Sequence, residues 1–151
     1  MLEVTSAEQL GALVGTEVAV SPWMDMPQQR INMFADATSD HQWIHVDPER
    51  CKRESPFGAP VAHGFLTLSL LPAMFESAVA MRNFRMVLNY GLNKVRFPAP
   101  VPVGSRVRAR LVLQAVDAIE GGSQLVWDVT VEREGAAKPI CVAEFVMRCY
   151  S

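Results

Sequence analysis

Residues 63–81 read HGFLTLSLLPAMFESAVAM, and this stretch decides what fold the rest can build. Its apolar side chains do not form a stripe at helical spacing; they occur all round. A helix apolar on every side has to be buried on every side. In a chain of 151 residues the natural way to achieve that is a curved sheet wrapped around it. Pro72 lacks a backbone donor and clashes with the preceding turn, so the helix is expected to kink there or to end its first part.

Working outward toward the C-terminus, the apolar pattern changes to period two after residue 83. FRMVLNYG, LNKVRFPAPV, SRVRARLVLQAV, SQLVWDVTVERE and PICVAEFVMRCY all read as strands separated by Gly and Pro signals. In the third, Val107, Ala109, Leu111 and Leu113 share a face opposite Arg106, Arg108 and Arg110; in the fourth, Leu125, Trp127, Val129 and Val131 lie opposite Asp128, Thr130 and Glu132. A hairpin closing at AIEGG sets the arginines across from those acids, so the arginine stripe is expected to be cross-strand pairing rather than a ligand site.

Toward the N-terminus the pattern is helical. TSAEQLGALVG begins as a capping box, Thr5 or Ser6 ahead of Glu8, and stops at glycine. TEVAVS is a brief strand. PQQRINMFADATS carries Ile31, Phe34 and Ala37 at helical spacing and leaves Asp40 at its C-terminal end. DPERCKRE holds a helical turn opened by Asp47 and Pro48. Helices first, one buried helix and then a long antiparallel sheet make an α+β chain, expected to be one domain over residues 1–151.

Composition bounds the function. Half the residues are hydrophobic and a fifth charged, as in ordinary globular proteins, and a net charge of −2 argues against a nucleic-acid or polybasic membrane surface. Cys51, Cys141 and Cys149 are odd in number and lack metal-ligand spacing, which favours reduced, buried thiols and a cytoplasmic setting. No export signal is visible, and the uncharged run from Gly64 to Phe75 is too short for the ~20 residues of a membrane span.

All three histidines fall between residues 41 and 63. A carboxylate at Asp40 and an imidazole at His45 can hold and polarise one water near neutral pH. His63 and Gly64 open the buried helix, where unpaired N–H groups suit an oxyanion and a residue without a side chain lets a carbonyl oxygen come close. His63 is expected to cap or orient that turn, and His41 to be a bystander.

The block FADATSDHQWIHVDPERCKRESPFGAPVAHGFLTLSLLP, followed by NYGLNKVRFPAPVPVGSRV, resembles the MaoC-like dehydratase family and especially its nodulation-protein-N-like branch. The Asp40 and His45 pair, HVDP, SPFG and AHGFLTLSL stand at the family's spacing. Ser39 replaces a common glycine, and Gln42-Trp43 replaces an Asn-Pro pair. The resemblance implies a hotdog fold, a long central helix wrapped by a curved antiparallel sheet, commonly dimeric with sites near the subunit interface. It implies reversible hydration of a trans-2-enoyl thioester to the (R)-3-hydroxyacyl thioester. Asp40 and His45 then manage the water, and the Gly64 amide receives the thioester oxygen. It implies no metal or redox cofactor, coenzyme A being part of the substrate. Two other readings stand beside it. A hotdog thioesterase is disfavoured because no acid lies between Gly64 and Phe75, Glu76 being the nearest; a non-catalytic acyl-CoA-binding subunit is disfavoured by the retained Asp40 and His45.

Overall fold

The computed structural model describes residues 1–151. The N-terminal half runs β1 (Leu2–Val4), α1 (Ala7–Gly11), β2 (Glu17–Val20), β3 (Met24–Asp25), α2 (Gln28–Thr38), α3 (Trp43–Val46) and α4 (Pro48–Glu54). It is followed by α5 (Gly64–Ser69), α6 (Leu71–Ala78), β4 (Val79–Met81), β5 (Met86–Arg96), β6 (Arg106–Ile119), β7 (Gly122–Arg133) and β8 (Cys141–Tyr150).

The main sheet has the order β2-β6-β7-β8-β5, with β3 also on β6, and all its pairings are antiparallel. Its inner face carries the predicted residues: Val107, Ala109, Leu111 and Leu113 on β6 and Leu125, Trp127, Val129 and Val131 on β7 are all buried. Helix α6 lies against this face through Leu71, Met74, Phe75 and Ala78, an i, i+3, i+4, i+7 stripe. Phe75 meets Trp127 edge to face at 5.1 Å. The thiols of Cys141 and Cys149 are buried in the same core, and burial pushes the Cys141 thiol up to about 11.

The central helix breaks at Pro72 as expected: α5 ends at Ser69, Leu70 joins the two pieces, and Pro72 sits in the first turn of α6, where its missing N–H costs nothing. Several other local expectations are corrected. The apolar residues of the central helix are not all covered, since Phe65 is 69% exposed. FRMVLNYG and LNKVRFPAPV form one strand, β5, kept continuous by register shifts on either side of Gly91 and Leu92. The capping box of α1 is Ser6 with Gln9, not Glu8: the Gln9 amide donates to Ser6 Oγ, and Gln9 Oε1 accepts from the Thr5 amide. On α2 the buried face is Ile31 and Ala35 rather than Ala37, and Phe34 turns to the site. Three strands too short to show a period, β1, β3 and β4, were not expected, β4 taking the last three residues read as helix; β1 pairs in parallel with β4 and ties the N-terminus to the end of the helix.

The arginine stripe pairs as the alternation predicts. Arg108 lies opposite Glu132 in register, Arg110 donates to both Glu132 and Glu17, and Arg106 reaches Glu134 at 3.1 Å. Gly122, at the hairpin, has no room for a side chain: a Cβ there would stand 2.0 Å from the Cys149 carbonyl.

Candidate active site

The site is assembled from three segments. Helix α2 stops at Ser39, whose φ of 62° and ψ of 21° put a non-glycine residue in the left-handed region. That single turn swings the chain out of the helix and leaves Asp40 exposed just beyond it. Five residues later α3 carries His45, which is buried. The third segment is the entry to α5, with His63 at its N-cap and Gly64 as its first residue.

His45 Nδ1–H donates to the Val61 carbonyl at 2.6 Å. The remaining nitrogen, Nε2, is thereby left with its lone pair. Burial lowers the pKa of this imidazole below 6.5; the hydrogen bond to Val61 and the charge of Asp40 oppose that shift, and His63 adds to it. His45 is therefore neutral at pH 7. The short helix that carries it is pinned from behind. Gln28 Nε2 on α2 donates to the His45 carbonyl at 2.8 Å, and the Cys51 thiol lies 3.5 Å from the carbonyls of Trp43 and Ile44. Gln28 and Cys51 carry no motif signal and were missed by sequence reasoning; only their place behind the helix marks them.

His63 is buried among the site's own parts. Its ring stacks on His45 with centroids 3.8 Å apart and planes at 22°, and it meets Phe34 edge-on at 4.9 Å. Its Nε2–H donates to the main-chain carbonyl of Asp40 at 3.0 Å, while Nδ1 is buried without a partner. The expected capping role is corrected: the side chain caps nothing on α5. It bridges to the Asp40 turn, 23 residues away in sequence.

Asp40, His45 and His63 offer ligand atoms within 4.8 Å of one another. Such a trio has metal-ligand chemistry, but stacked imidazoles send their in-plane lone pairs side by side instead of converging on one ion. The arrangement suits a polarised water better. The Gly64 amide finds no backbone carbonyl in the chain, and Gly64 lies so close to the Phe97 ring that a Cβ would stand 3.0 Å from it.

The other singled-out residues fall outside this cluster. His41 bonds Asp36 at 2.9 Å on the surface. Trp43 lies under the Arg50 guanidinium at 4.3 Å. Lys94 faces Glu144 across the ladder and shares an outer hollow with Asp128, which makes it a poor phosphate ligand; Arg96 donates to the Val95 carbonyl. Asn89 lines a groove of about 480 Å³ between α6 and β5, walled by Phe75, Val87 and Met147. Glu76 opens on the same groove, away from Gly64.

Comparison with known proteins agrees with this geometry. The model of the MaoC like domain matches residues 9–135. The 3-hydroxyacyl-thioester dehydratase Z of Mycobacterium tuberculosis (strain ATCC 25618 / H37Rv) is 52% identical over 144 residues, 95% of either chain. Nodulation protein N of Rhizobium leguminosarum bv. viciae is 51% identical over 136 residues, covering 88% of this chain and 84% of its own. Among solved structures, the unliganded R-hydratase PhaJ1 from Pseudomonas aeruginosa superposes with a TM-score of 0.74 over 91% of this chain and 82% of that one; at 18% identity it speaks for the fold alone. The chain belongs to the MaoC-like dehydratase family and is a hydro-lyase of the hotdog fold.

Proposed function

We propose that this chain is an (R)-specific enoyl-CoA hydratase, adding water reversibly to a trans-2-enoyl-CoA to give the (R)-3-hydroxyacyl-CoA. The observation that carries the reading is the meeting of the Asp40 carboxylate with the neutral His45 imidazole, beside the first amide of α5. The name of the Mycobacterium tuberculosis relative supports the substrate class.

In this mechanism a water held between Asp40 and His45 Nε2 loses a proton to that pair as its oxygen bonds to C3. The C2=C3 electron pair shifts toward the thioester, and the charge gathering on its oxygen is met by the Gly64 N–H. The pair then returns a proton to C2. One water is added and no electrons are gained or lost, so no resident metal or redox group is called for. His63 is a positioning residue, holding the Asp40 turn through its carbonyl and the His45 ring through the stack.

A homodimer completes the reading. Strand β5 is an edge strand of 11 residues on which Met86, Val87, Leu88, Tyr90 and Leu92 are all exposed. A long apolar edge is a template for another chain, and a second copy would close the open side of the groove. The chain works as one domain, and its three free, buried cysteines fit a reducing cytoplasm.

Loss of enoyl absorbance on crotonyl-CoA, with product stereochemistry and free thiol assayed together, tests the proposal. Wild type should form the (R)-alcohol, and Asp40→Asn and His45→Gln should not while remaining folded. Thiol release without alcohol would move the protein to the thioesterases; thioester binding with neither product would make it a binding subunit.

A further inference from the structure

Strand β5 breaks an alternation that the rest of the sheet keeps. Its inward positions lie opposite buried residues of β8: Val87 opposite Cys149, Leu92 opposite Phe145 and Val95 opposite Ala143. Asn89 takes the remaining place, opposite Met147, and the row continues through Leu125 on β7 to Val116 on β6. Every other side chain in that row is apolar. Asparagine is also a poor strand former, so neither packing nor propensity explains an amide there. A residue that breaks both local rules marks a place where function is expected.

Asn89 stands where two hollows meet. The first, of about 360 Å³, lies beside the joint of α5 and α6 and is walled by Leu68, Leu71, Leu92 and Phe145. Its other polar side chain, Ser69, is already bonded to the Phe65 carbonyl. The second is the groove of about 480 Å³ between α6 and β5. Pro72 and Asn89 line both and mark the passage from one to the other. The Asn89 amide is exposed and bonds to nothing in the chain, so its N–H donors and its carbonyl oxygen are open to an occupant.

Leu68 follows Gly64 by one turn on the same face of α5, so a chain leaving a thioester at Gly64 along the helix enters the first hollow and meets Asn89 next. Pro72 lies eight positions beyond Gly64, roughly 12 Å at the helical rise, which an extended chain spans in about nine or ten carbons. Resting on the hydratase reading, we propose that Asn89 is a specificity-determining residue that reads an oxygen substituent carried on the acyl chain at that distance from the thioester. The substrates are then enoyl thioesters with a keto or hydroxyl group near the far end of a medium-length chain. A plain alkyl chain strips water from the amide and leaves it unpaired, whereas an oxygen on the chain restores the hydrogen bond.

The test uses full-length enzyme with three ten-carbon coenzyme A thioesters, trans-2-decenoyl, 9-oxo-trans-2-decenoyl and 9-hydroxy-trans-2-decenoyl, and crotonyl-CoA alongside. Wild type should favour both oxygenated chains over the plain one by about fivefold in kcat/KM, the size of one hydrogen bond. Asn89→Leu suits a strand better and should reverse that order. Asn89→Asp keeps the shape but loses the N–H donor, so the preference for the keto chain should vanish while the hydroxyl chain, which can donate to the carboxylate, keeps its own. Equal rates for plain and oxygenated chains in wild type overturn the assignment. So does an equal change for all three in Asn89→Leu, which together with loss of a dimer would place the amide in a subunit contact. If wild type hydrates none of the four thioesters, the hydratase reading fails; hydration of crotonyl-CoA without discrimination among the longer chains fails the Asn89 assignment alone.

Discussion

Two clusters of charged and titratable side chains stand in this molecule, and they are built on opposite terms. On the outer face of the sheet, Arg106, Arg108 and Arg110 meet Glu134, Glu132 and Glu17, with Trp23 stacked under Arg108 at 4.2 Å. Each of these acids is held by an arginine. Around α5, Asp40, His45 and His63 lie equally close but leave open valences: a carboxylate facing solvent, the lone pair of His45 Nε2 and the buried Nδ1 of His63. A cluster whose valences are consumed inside the chain stabilises the fold. One that keeps them open has something left to bind or to react with.

Substitutions should separate the two sharply. His45→Gln and Asp40→Asn are expected to cut kcat/KM by about a thousandfold, in the range for loss of a positioned acid-base group, with thermal midpoints close to wild type. A stability loss that matched the loss of activity would erase the contrast. Gly64→Ala should lower kcat by roughly a hundredfold, because the Phe97 ring and the amide's approach compete for the space a methyl would take. Adding Phe97→Ala sharpens the cause. Recovery of most of the activity assigns the glycine to the ring contact, and no recovery assigns it to the approach of the substrate oxygen.

On the other side of the comparison, Glu132→Gln should destabilise by only about 1 kcal/mol and leave kcat unchanged, as for a partly exposed pair. Burial works to raise the Glu132 pKa, and hydrogen bonds from Arg108 and Arg110 outweigh it, so the folded carboxyl lies below 4.5. Its contribution is complete above 4.5 and disappears as pH falls through the folded value. For His45 the folded pKa is lowered instead. Below pH 6.5 the unfolded chain takes up a proton that the folded chain does not, so stability declines with falling pH until His45 itself protonates. Hydration should persist below pH 6.5 for the same reason; a rate profile falling with a midpoint at 6.5 would remove His45 as the buried base. The smallest effect belongs to Ser39→Gly. Relief of the left-handed φ should stabilise by about 1 kcal/mol, read as a rise of a few degrees in thermal midpoint.

Much of this was legible beforehand because it depends on neighbours in sequence. The alternation of Val107 to Leu113 and Leu125 to Val131 gave the sheet its inner face, and Pro72 marked the break in the helix. Asp47 and Pro48 marked the start of α4. Asp40, His45, His63 and Gly64 stood out from residue type, spacing and family resemblance. Less legible were features set by partners far along the chain. No pattern shows Gln28 holding the His45 carbonyl, or Phe97 resting on Gly64, across 17 and 33 positions.

By itself, then, the sequence determined the class of fold and singled out the candidate reacting groups, since hydrophobic period and side-chain chemistry are properties of residues and their near neighbours. The tertiary structure decided what those groups are able to do. It made His45 a neutral imidazole by burying it against Val61, and turned His63 from a supposed cap into a brace for the Asp40 turn. It also left His63 Nδ1 buried without a partner and set Phe97 against Gly64. Protonation state, tautomer and open valence follow from what surrounds an atom in space, and those surroundings are fixed only when distant segments meet.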